Sequence, residues 1–370
     1  MDTNPLKILE SLGQSIWLDY IRRDLIACGQ LRHLIDEDGL RGITSNPSIF
    51  EKAIAESNIY DTDIRKMSLT TKDISVIYEA ISQQDVQNAA DLFRPLYEKS
   101  AGVDGYVSLE VNPHLAYDTL GTFEEGCRLW AALNRPNILI KVPATVEGLS
   151  AIRQLISEGI NVNVTLLFSL PRYRQVTEAF IAGIKDRINN GKSPKNVVSV
   201  ASIFLSRIDA EIDPQEEDFV ASGGEQAHFA TKIRGQVAIS SAKIAYKIYK
   251  DVFESDEFLR LGASPQRLLW ASTSPKNPDY NDLKYVEALI GPNTVSTIPL
   301  ETLEAYRDHG DPKSLLESNF EGASLVLSEL PEVGINLNEI TEKLERDGVE
   351  KFIAAFDKLM KALVKKSITG

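Results

Sequence analysis

Cysteine and histidine are scarce in this sequence. Only two of the 370 residues are cysteine and only four are histidine. Cys28 and Cys127 are too few for a disulfide framework and are not spaced as a metal or redox pair, so we expect two reduced thiols. The histidines are scattered and none of them pairs at the spacing of metal ligands, so a metal-dependent active site is not predicted.

An excess of positive charge and a long apolar run are also missing. The chain carries 40 Lys and Arg against 53 Asp and Glu, and no long basic block offsets the net charge of −13. This charge repels nucleic acid and anionic membranes, so neither is an expected partner. No apolar run approaches the ~20 residues of a membrane helix, and the N-terminal stretch MDTNPLKILE lacks a signal-peptide pattern. These features predict a cytoplasmic enzyme.

Eight short apolar segments predict buried strands, and each is followed by a stretch of helical character. Strands that alternate with helices form right-handed βαβ units and a parallel sheet. Eight units predict a closed (β/α)8 TIM barrel, with an open doubly wound sheet as the alternative. We expect residues 1–370 to form one barrel domain, since such barrels accept insertions. The predicted strands are 15–20, 42–46, 106–111, 138–144, 160–168, 197–204, 267–273 and 294–299.

Two insertions exceed a minimal barrel. Residues 47–105 are long enough for several helices. Residues 210–263 begin with the acidic, glycine-containing stretch DPQEEDFVASGGEQ, which we expect to be a loop ahead of a long helix. No internal repeat or low-complexity segment argues for a repeat architecture.

A C-terminal extension, about residues 300–370, is predicted to be helical. Asn336 and Glu339 form a capping-box pattern that starts a helix, and Gly348 is expected to end it. Beyond Gly348, apolar residues at helical spacing mark one face, which we expect to dock on the barrel and not on a membrane. That face comprises Val349, Phe352, Ile353, Phe356, Met360 and Leu363.

One lysine stands in the middle of the fourth predicted strand, in the stretch NILIKVPAT. The residues around Lys141 are apolar, as in a parallel strand that is covered on both faces. Removing an ammonium group from water is costly, so a lysine there either finds a carboxylate partner or loses its proton. A neutral amine is a nucleophile, which makes Lys141 a candidate catalytic residue.

Polar residues stand in or at the end of seven of the eight predicted strands. The active site of a TIM barrel lies at the C-terminal rim of its strands, so these side chains are expected to converge there. A lysine, two carboxylates and several amide and hydroxyl groups suit carbonyl chemistry. The residues are Asp19, Asn46, Glu110, Lys141, Asn163, Thr165, Ser202 and Ser272.

These residue types favour a Schiff-base mechanism. Lys141 can attack a ketone, and the resulting iminium draws electrons from the adjacent carbon–carbon bond. Cleavage needs a base on the hydroxyl beyond that bond, and dehydration of the carbinolamine needs a proton donor; Asp19 and Glu110 can divide these tasks. A purely structural ion pair of Lys141 and Glu110 is the alternative, although buried pairs contribute little to stability.

Four segments resemble the transaldolase family. GITSNPSIF (42–50) and ILIKVPATVEGLSAIRQL (138–155) are similar to the two signature segments of these enzymes, and the second contains their Schiff-base lysine. NVNVTLLFS (161–169) and SIWLDY (15–20) match as well. The resemblance implies a (β/α)8 barrel without a cofactor, which moves a dihydroxyacetone unit from sedoheptulose 7-phosphate or fructose 6-phosphate to an aldose phosphate in the non-oxidative pentose phosphate pathway.

The resemblance also implies roles for single residues near the reacting carbon. Lys141 is the implied nucleophile, and Glu110 the implied acid–base group, which acts through a water held by Thr165. Asp19 is the implied base for the hydroxyl whose deprotonation breaks the bond. The implied ligands of the hydroxyl groups of the three-carbon unit are Asn46, Asn163 and Ser202.

Arg207 and Ser272 are implied to bind the substrate phosphate. Family members have a second arginine shortly after the residue that aligns with Ser272, whereas this chain offers Lys276, a point charge without a bidentate fork. An ion pair of Arg207 with nearby Asp209 is the alternative. Related barrels that act as plain aldolases have a tyrosine at the position of Phe204, so phenylalanine there favours transfer.

Two rival functions stay open from the sequence. One is a class I aldolase that releases the three-carbon fragment without an acceptor, and the other is a sugar-phosphate-binding barrel that has lost catalysis. Nucleotide cofactors lack support, because the chain has neither a GxxxxGK[ST] loop nor a strand-linked GxGxxG. The expected partners are small sugar phosphates, and the expected oligomeric state is a monomer or a homodimer.

Overall fold

The computed structural model describes residues 4–223 and 225–369. Eight parallel strands close into a barrel in chain order, which confirms the predicted (β/α)8 architecture and excludes the open sheet. Each predicted strand is present, with ends shifted by up to three residues. The strands are β1 (Gln14–Leu18), β2 (Gly42–Ile43), β3 (Tyr106–Glu110), β4 (Ile138–Pro143), β5 (Val162–Leu167), β6 (Ser199–Phe204), β7 (Arg267–Ala271) and β8 (Thr294–Ile298).

Helices surround the barrel and fill the predicted insertions. Three of them, α4 to α6, occupy the first insertion, as expected. The helices are α1 (Pro5–Ser11), α2 (Arg23–Ala27), α3 (Gln30–Glu37), α4 (Pro47–Ala55), α5 (Asp61–Ser68), α6 (Ile74–Lys99), α7 (Thr119–Leu133), α8 (Val146–Glu158), α9 (Leu170–Asn189), α10 (Ser206–Ser222), α11 (Glu225–Ile233), α12 (Val237–Phe253), α13 (Asp256–Leu259), α14 (Lys284–Ala288), α15 (Leu300–His309), α16 (Phe320–Glu329) and α17 (Leu337–Thr369). Two 3₁₀ turns cover Pro113–Leu115 and Leu330–Val333.

Strand register brings the central polar residues side by side. Glu110 of β3 pairs with Lys141 of β4, and Lys141 pairs with Asn163 of β5. The apolar residues between them, such as Ile140 and Val164, are fully buried. A continuous apolar strand therefore holds each polar side chain at a fixed height in the barrel.

Side-chain caps start several helices directly after the strands. Asn46, Thr145 and Ser169 each accept a backbone hydrogen bond in the first turn of α4, α8 and α9. Such caps satisfy N–H groups that a helix start leaves unpaired. They fix the short loops at the C-terminal end of the barrel, where the polar residues lie.

The prediction of an acidic loop at the start of the second insertion is wrong. Its residues up to Ser222 belong to α10, and Pro214 lies inside that helix. Glu, Gln and Ala are good helix formers, and their preference prevails over the proline. Asp213 also ties the helix down, because its carboxylate accepts hydrogen bonds from the backbone N–H of Gly235 and the hydroxyl of Tyr280. Gly223, with φ of 73°, separates α10 from the following helix, while Gly224 lies outside the described residues.

The prediction that a helix ends at Gly348 is also wrong. The capping pair of Asn336 and Glu339 is present, but α17 continues through Gly348 for 33 residues in total. A Cβ atom at Gly348 would lie 3.0 Å from Cδ2 of Leu166, which is tighter than most real contacts. The glycine thus permits close approach of α17 to β5 and does not end the helix.

The apolar face of α17 docks on the barrel, as predicted. The helix packs on α4, α5 and α6 and reaches β5. Val349, Phe352 and Leu363 are buried in this interface. No helix within the described residues is long and apolar enough to cross a membrane. That the whole chain forms one domain stays a prediction.

Candidate active site

A cavity of about 550 Å³ opens at the C-terminal end of the strands. Apart from Glu110 and Asn163, all the predicted site residues line it: Asp19, Asn46, Lys141, Thr165, Ser202, Phe204, Arg207, Ser272 and Lys276. These residues therefore converge on one cavity, although they come from distant parts of the chain. Closure of the barrel brings them together.

Lys141 lies at the floor of this cavity and is 5% exposed. Its Nζ donates a hydrogen bond to the backbone carbonyl of Ser45 at 3.2 Å. A carboxylate oxygen of Glu110 lies 3.8 Å from the same nitrogen, which makes an ion pair and not a hydrogen bond. The amine thus faces the cavity with a single carboxylate at its side.

Glu110 is buried beside Lys141, behind the main cavity. Neither of its carboxylate oxygens has a hydrogen-bond partner among the described residues. Burial raises the pKa of Glu110 to about 7, the nearby Lys141 opposes this change, and the charge of Asp19 adds to it. A carboxyl group with this pKa changes protonation state near neutral pH, as an acid–base catalyst requires.

Thr165 carries a second buried group without a partner. Its Oγ1 makes no hydrogen bond to any described residue, and the side chain is fully buried at the cavity wall. Thr165 is on β5 and Glu110 is on β3, so the two groups flank the strand that carries Lys141. Buried polar atoms are rarely left unpaired, and such atoms call for a water or a ligand.

Asp19 follows β1 at the rim of the cavity, where it is half-buried. Its carboxylate accepts a hydrogen bond of 2.7 Å from the hydroxyl of Thr44, which also contacts the hydroxyl of Thr297 at 2.8 Å. Its backbone N–H is bonded to the carbonyl of Ile298. Hydroxyl groups of β8 and of the loop after β2 thereby orient the carboxylate toward the cavity.

Ser202 and Asn163 form a hydrogen-bonded chain under the cavity. The hydroxyl of Ser202 donates to Oδ1 of Asn163 at 2.6 Å, and Nδ2 of Asn163 donates to the hydroxyl of Ser108 at 3.0 Å. Ser202 lines the cavity, whereas Asn163 is fully buried and does not. The structure therefore places Asn163 beneath Ser202, as its support.

Two cations lie together at the β6–β7 side of the cavity. Burial lowers the pKa of Arg207, and burial together with the charge of Arg207 lowers the pKa of Lys276. The charges of Asp19 and Glu301 act on the pKa of Arg207 and Lys276 in the opposite direction, but neither cation comes within ion-pair distance of a carboxylate in the described part of the chain. Two positive charges held close together, without a carboxylate in direct contact, are typical of an anion site.

Ser272 completes this end of the cavity. Its backbone has φ of 53°, a left-handed conformation that is uncommon for residues other than glycine. Its hydroxyl lies 2.8 Å from that of Ser206, and its carbonyl accepts a hydrogen bond from the Ser206 backbone. The loop after β7 is thereby fixed to the start of α10, which carries Arg207.

The alternative pairing of Arg207 with Asp209 is wrong. Asp209 accepts hydrogen bonds from the backbone N–H of Ala238 and the hydroxyl of Tyr285, and it pairs with Lys284 at 3.5 Å. The Arg207 guanidinium lies 5.3 Å from the ring of Phe204 instead. Successive residues on α10 point in different directions, so nearness in sequence does not bring these two charges together.

Several contributors to the site were missed from the sequence. Thr44, Thr297 and Phe352 line the cavity, and the backbone carbonyl of Ser45 contacts Lys141. The only signal for Phe352 was its place on an apolar helix face, which indicated packing and not a site. Within the described residues, no group of three or more His, Cys, Asp and Glu side chains is arranged to hold a metal ion.

Comparisons with known proteins show which family the chain is similar to. The family model described as Transaldolase/Fructose-6-phosphate aldolase matches residues 16–363. The chain is 46% identical to a protein named transaldolase from Trichodesmium erythraeum (strain IMS101), over 99% of this chain and 98% of that protein. It is 45% identical to a transaldolase of Thiobacillus denitrificans, over 96% and 99% of the two chains. A protein named transaldolase 2 from Nostoc sp. is 44% identical, over 98% and 97%.

Proposed function

This chain belongs to the transaldolase family, and from that premise we propose how its residues carry out the reaction. The reaction is the transfer of a dihydroxyacetone unit between a ketose phosphate, sedoheptulose 7-phosphate or fructose 6-phosphate, and an aldose phosphate, glyceraldehyde 3-phosphate or erythrose 4-phosphate. The observation that carries the mechanism is the buried pair formed by Lys141, which lines the cavity, and Glu110 behind it.

The first step is formation of the nucleophile. In its ionised form Glu110 takes the proton of the Lys141 ammonium, and the neutral amine attacks the C2 carbonyl of the ketose. Glu110 then returns this proton to the carbinolamine hydroxyl, which leaves as water and gives the iminium. The pKa of about 7 suits Glu110 to both directions of transfer at neutral pH.

A water relays this proton in our proposal. Support comes from the unpartnered carboxylate oxygens of Glu110 and the unpartnered hydroxyl of Thr165, on the strands either side of Lys141. A water that bonds to both groups satisfies them and lies beside the reacting nitrogen. Thr165 thus positions the water, and Glu110 exchanges protons with it.

Asp19 acts on the bond that breaks. Its carboxylate removes the proton of the C4 hydroxyl, the C3–C4 bond breaks, and the electron pair moves into the iminium to give an enamine. The aldose phosphate leaves, and an acceptor aldose then reacts through the reverse steps. The hydrogen bond from Thr44 holds the carboxylate in place beside the cavity.

Asn46 and Ser202 bind hydroxyl groups of the three-carbon unit. The side-chain oxygen of Asn46 caps α4, so its amide nitrogen is the group that faces the substrate. Asn163 fixes the rotamer of Ser202 from below and acts on the substrate through it. Arg207, Lys276 and Ser272 bind the phosphate at the other end of the cavity.

Arg207→Ala is expected to raise KM for fructose 6-phosphate roughly 10- to 100-fold, the loss of one charged hydrogen bond. Lys276→Ala should have a smaller effect, because an ammonium lacks the bidentate fork of arginine. Steady-state kinetics at two salt concentrations measure both changes. Arg260→Ala serves as a control, because Arg260 is exposed beyond α13, away from the cavity. An Arg207→Ala enzyme with an unchanged KM would remove the phosphate role.

Transfer, and not simple cleavage, is the expected activity of the purified protein. Fructose 6-phosphate should be consumed rapidly only when erythrose 4-phosphate is present, because the enamine stays bound to Lys141 until it reacts with an acceptor. Phe204 favours this outcome, since a tyrosine at its position is the group that assists release in related aldolases. Cleavage at a comparable rate without an acceptor would instead support a class I aldolase.

We also propose a cytoplasmic location, a single domain over residues 1–370, and a monomer or homodimer. Cys28 is an exposed free thiol and Cys127 a partly buried one, as expected in a reducing compartment. One cluster of buried apolar residues extends from Leu6 to Leu363, which supports a single domain.

A further inference from the structure

The C-terminal helix α17 supplies one wall of the active site. Its Phe352 lines the cavity, is 5% exposed, and places its ring centroid 5.9 Å from Nζ of Lys141. The three-carbon unit is bonded directly to that nitrogen during the reaction. It therefore occupies the space next to this ring.

The position of α17 over the barrel is set by close packing. Gly348, one turn before Phe352, lets the helix approach Leu166 of β5, and the ring of Phe168 lies near the same point. Leu166 has φ of 55° at an irregularity in the pairing of β5 with β6. A non-glycine residue in this conformation is strained, and strain of this kind is kept where the surroundings require it. Strand and helix thus fit each other one turn before Phe352.

Ion pairs fasten α17 to elements on both sides of the barrel mouth. Exposed pairs add little stability each, but a series of them along one helix fixes its position and rotation. The pairs are Lys343 with Glu211 of α10, Glu345 with Arg172 of α9, Lys358 with Glu51 of α4, and Lys366 with Asp61 of α5. In addition, a ring nitrogen of His114 in the first 3₁₀ turn lies 2.8 Å from a carboxylate oxygen of Asp357. The ring of Phe352 is therefore held over Lys141 by the whole helix.

The enamine intermediate has two possible fates. In transfer, its C3 attacks the carbonyl carbon of the acceptor, whose oxygen takes a proton from Asp19, and the new iminium is hydrolysed. In the side reaction, C3 takes a proton from solvent, water adds to C2 of the resulting iminium, and the C2–N bond breaks to release free dihydroxyacetone and the Lys141 amine. Both branches pass through an iminium, and only the second needs solvent protons at C3.

We propose that Phe352 shields the enamine carbon from solvent and so determines that the unit is transferred and not released. This inference rests on the proposed function and assigns Phe352 as a specificity-determining residue. An apolar ring next to the bound fragment excludes the water that would deliver the proton. The same ring lies within reach of the cationic iminium, but that interaction affects both branches equally. The ratio of release to transfer therefore isolates the shielding.

The test compares release of dihydroxyacetone from fructose 6-phosphate alone with transfer to erythrose 4-phosphate. In Phe352→Ala the ratio of release to transfer should rise about tenfold or more, which corresponds to about 1.4 kcal/mol between the barriers of the two branches. Borohydride should still trap the fragment on Lys141. If the alanine variant does not fold, Phe352→Val keeps an apolar side chain in the interface, removes the ring, and must change the ratio in the same direction.

Leu363→Ala is the matched control. Leu363 is fully buried on the same helix and does not line the cavity, so its truncation loosens α17 without opening the site. Its ratio of release to transfer should equal that of the wild type. An unchanged ratio in the folded Phe352 variants, or an equal rise in Leu363→Ala, overturns the proposal. A wild-type protein that forms no adduct at Lys141 overturns the proposed function as well, so the two failures are distinguishable.

Discussion

Lys141→Ala is expected to lower kcat by roughly 10⁴-fold or more, as the loss of a covalent nucleophile does. The barrel should stay folded, because alanine removes a buried ammonium group and does not create a buried charge. Glu110 then loses its counter-charge, but a carboxyl whose pKa is already near 7 becomes neutral at little cost. Assays of the transfer reaction measure kcat, and thermal unfolding followed by circular dichroism measures the stability of the fold.

Lys243→Ala offers a contrasting control within the same chain. Lys243 is also buried, on α12, and its Nζ donates hydrogen bonds to the carbonyls of Leu315 and Ser318. Its removal takes one donor from each of these carbonyls, which costs about 1 kcal/mol, because the Leu315 carbonyl keeps the hydrogen bonds from the backbone and hydroxyl of Ser318; the catalytic rate should be retained. Collapse of the Lys141→Ala protein, with a mild effect at Lys243, would mean that Lys141 is the structural lysine.

Glu110→Gln is expected to lower kcat by roughly 10²–10⁴-fold, the usual contribution of a general acid–base group. It should also change the pH dependence. In the wild type, kcat/KM should fall as the pH drops below about 7, because a protonated Glu110 cannot accept the proton that Lys141 must lose. Glutamine does not titrate, so the variant should lack this acidic limb. A pH–rate profile of both proteins over the range of stability checks the prediction.

Glu125→Gln is the matched control for this experiment. Glu125 is a second, mostly buried carboxyl group, on α7, and burial raises its pKa as well. It pairs with Arg128, whereas Glu110 pairs with Lys141, so its amide variant should keep both the wild-type rate and the acidic limb. If kcat/KM of Glu110→Gln still falls at low pH, or if the substitution changes KM but not kcat, the proton transfer belongs to another group.

The barrel and most of its site were predictable because parallel strands obey local rules. Segments of five to nine residues marked the strands, and register between neighbours then placed Glu110 beside Lys141. Residues near the carboxyl ends of strands met at one rim for the same reason. The sequence pattern alone could not place Asn163 beneath the cavity, because its position depends on hydrogen bonds to Ser202 and Ser108.

The errors concern elements whose course is decided by tertiary contacts. Gly348 has the sequence signature of a helix end, but its missing Cβ serves an approach to Leu166 from another part of the chain. The stretch after Asp213 has the acidic and proline content of a loop, yet it continues α10. Phe352 is far from Lys141 in sequence, so only the docked helix reveals that its ring lies next to the amine.

The local distribution of charge is compatible with anionic substrates, although the protein as a whole is acidic. The net charge is −13, but Arg207 and Lys276 hold a local positive charge at one end of the cavity. Lys141 and Phe352 line the same cavity and are each 5% exposed. In the proposed mechanism the phosphate binds at Arg207 and Lys276, and the bond that breaks lies between that end of the cavity and Lys141.

The most direct test of this account is a mass spectrum of the protein after incubation with fructose 6-phosphate and borohydride. Reduction of the iminium should add one three-carbon fragment to the chain, and peptide mapping should place it on Lys141. Fragment and residue together report the nucleophile and the bond that was broken. A spectrum without an adduct, or with the fragment on another lysine, would contradict the mechanism.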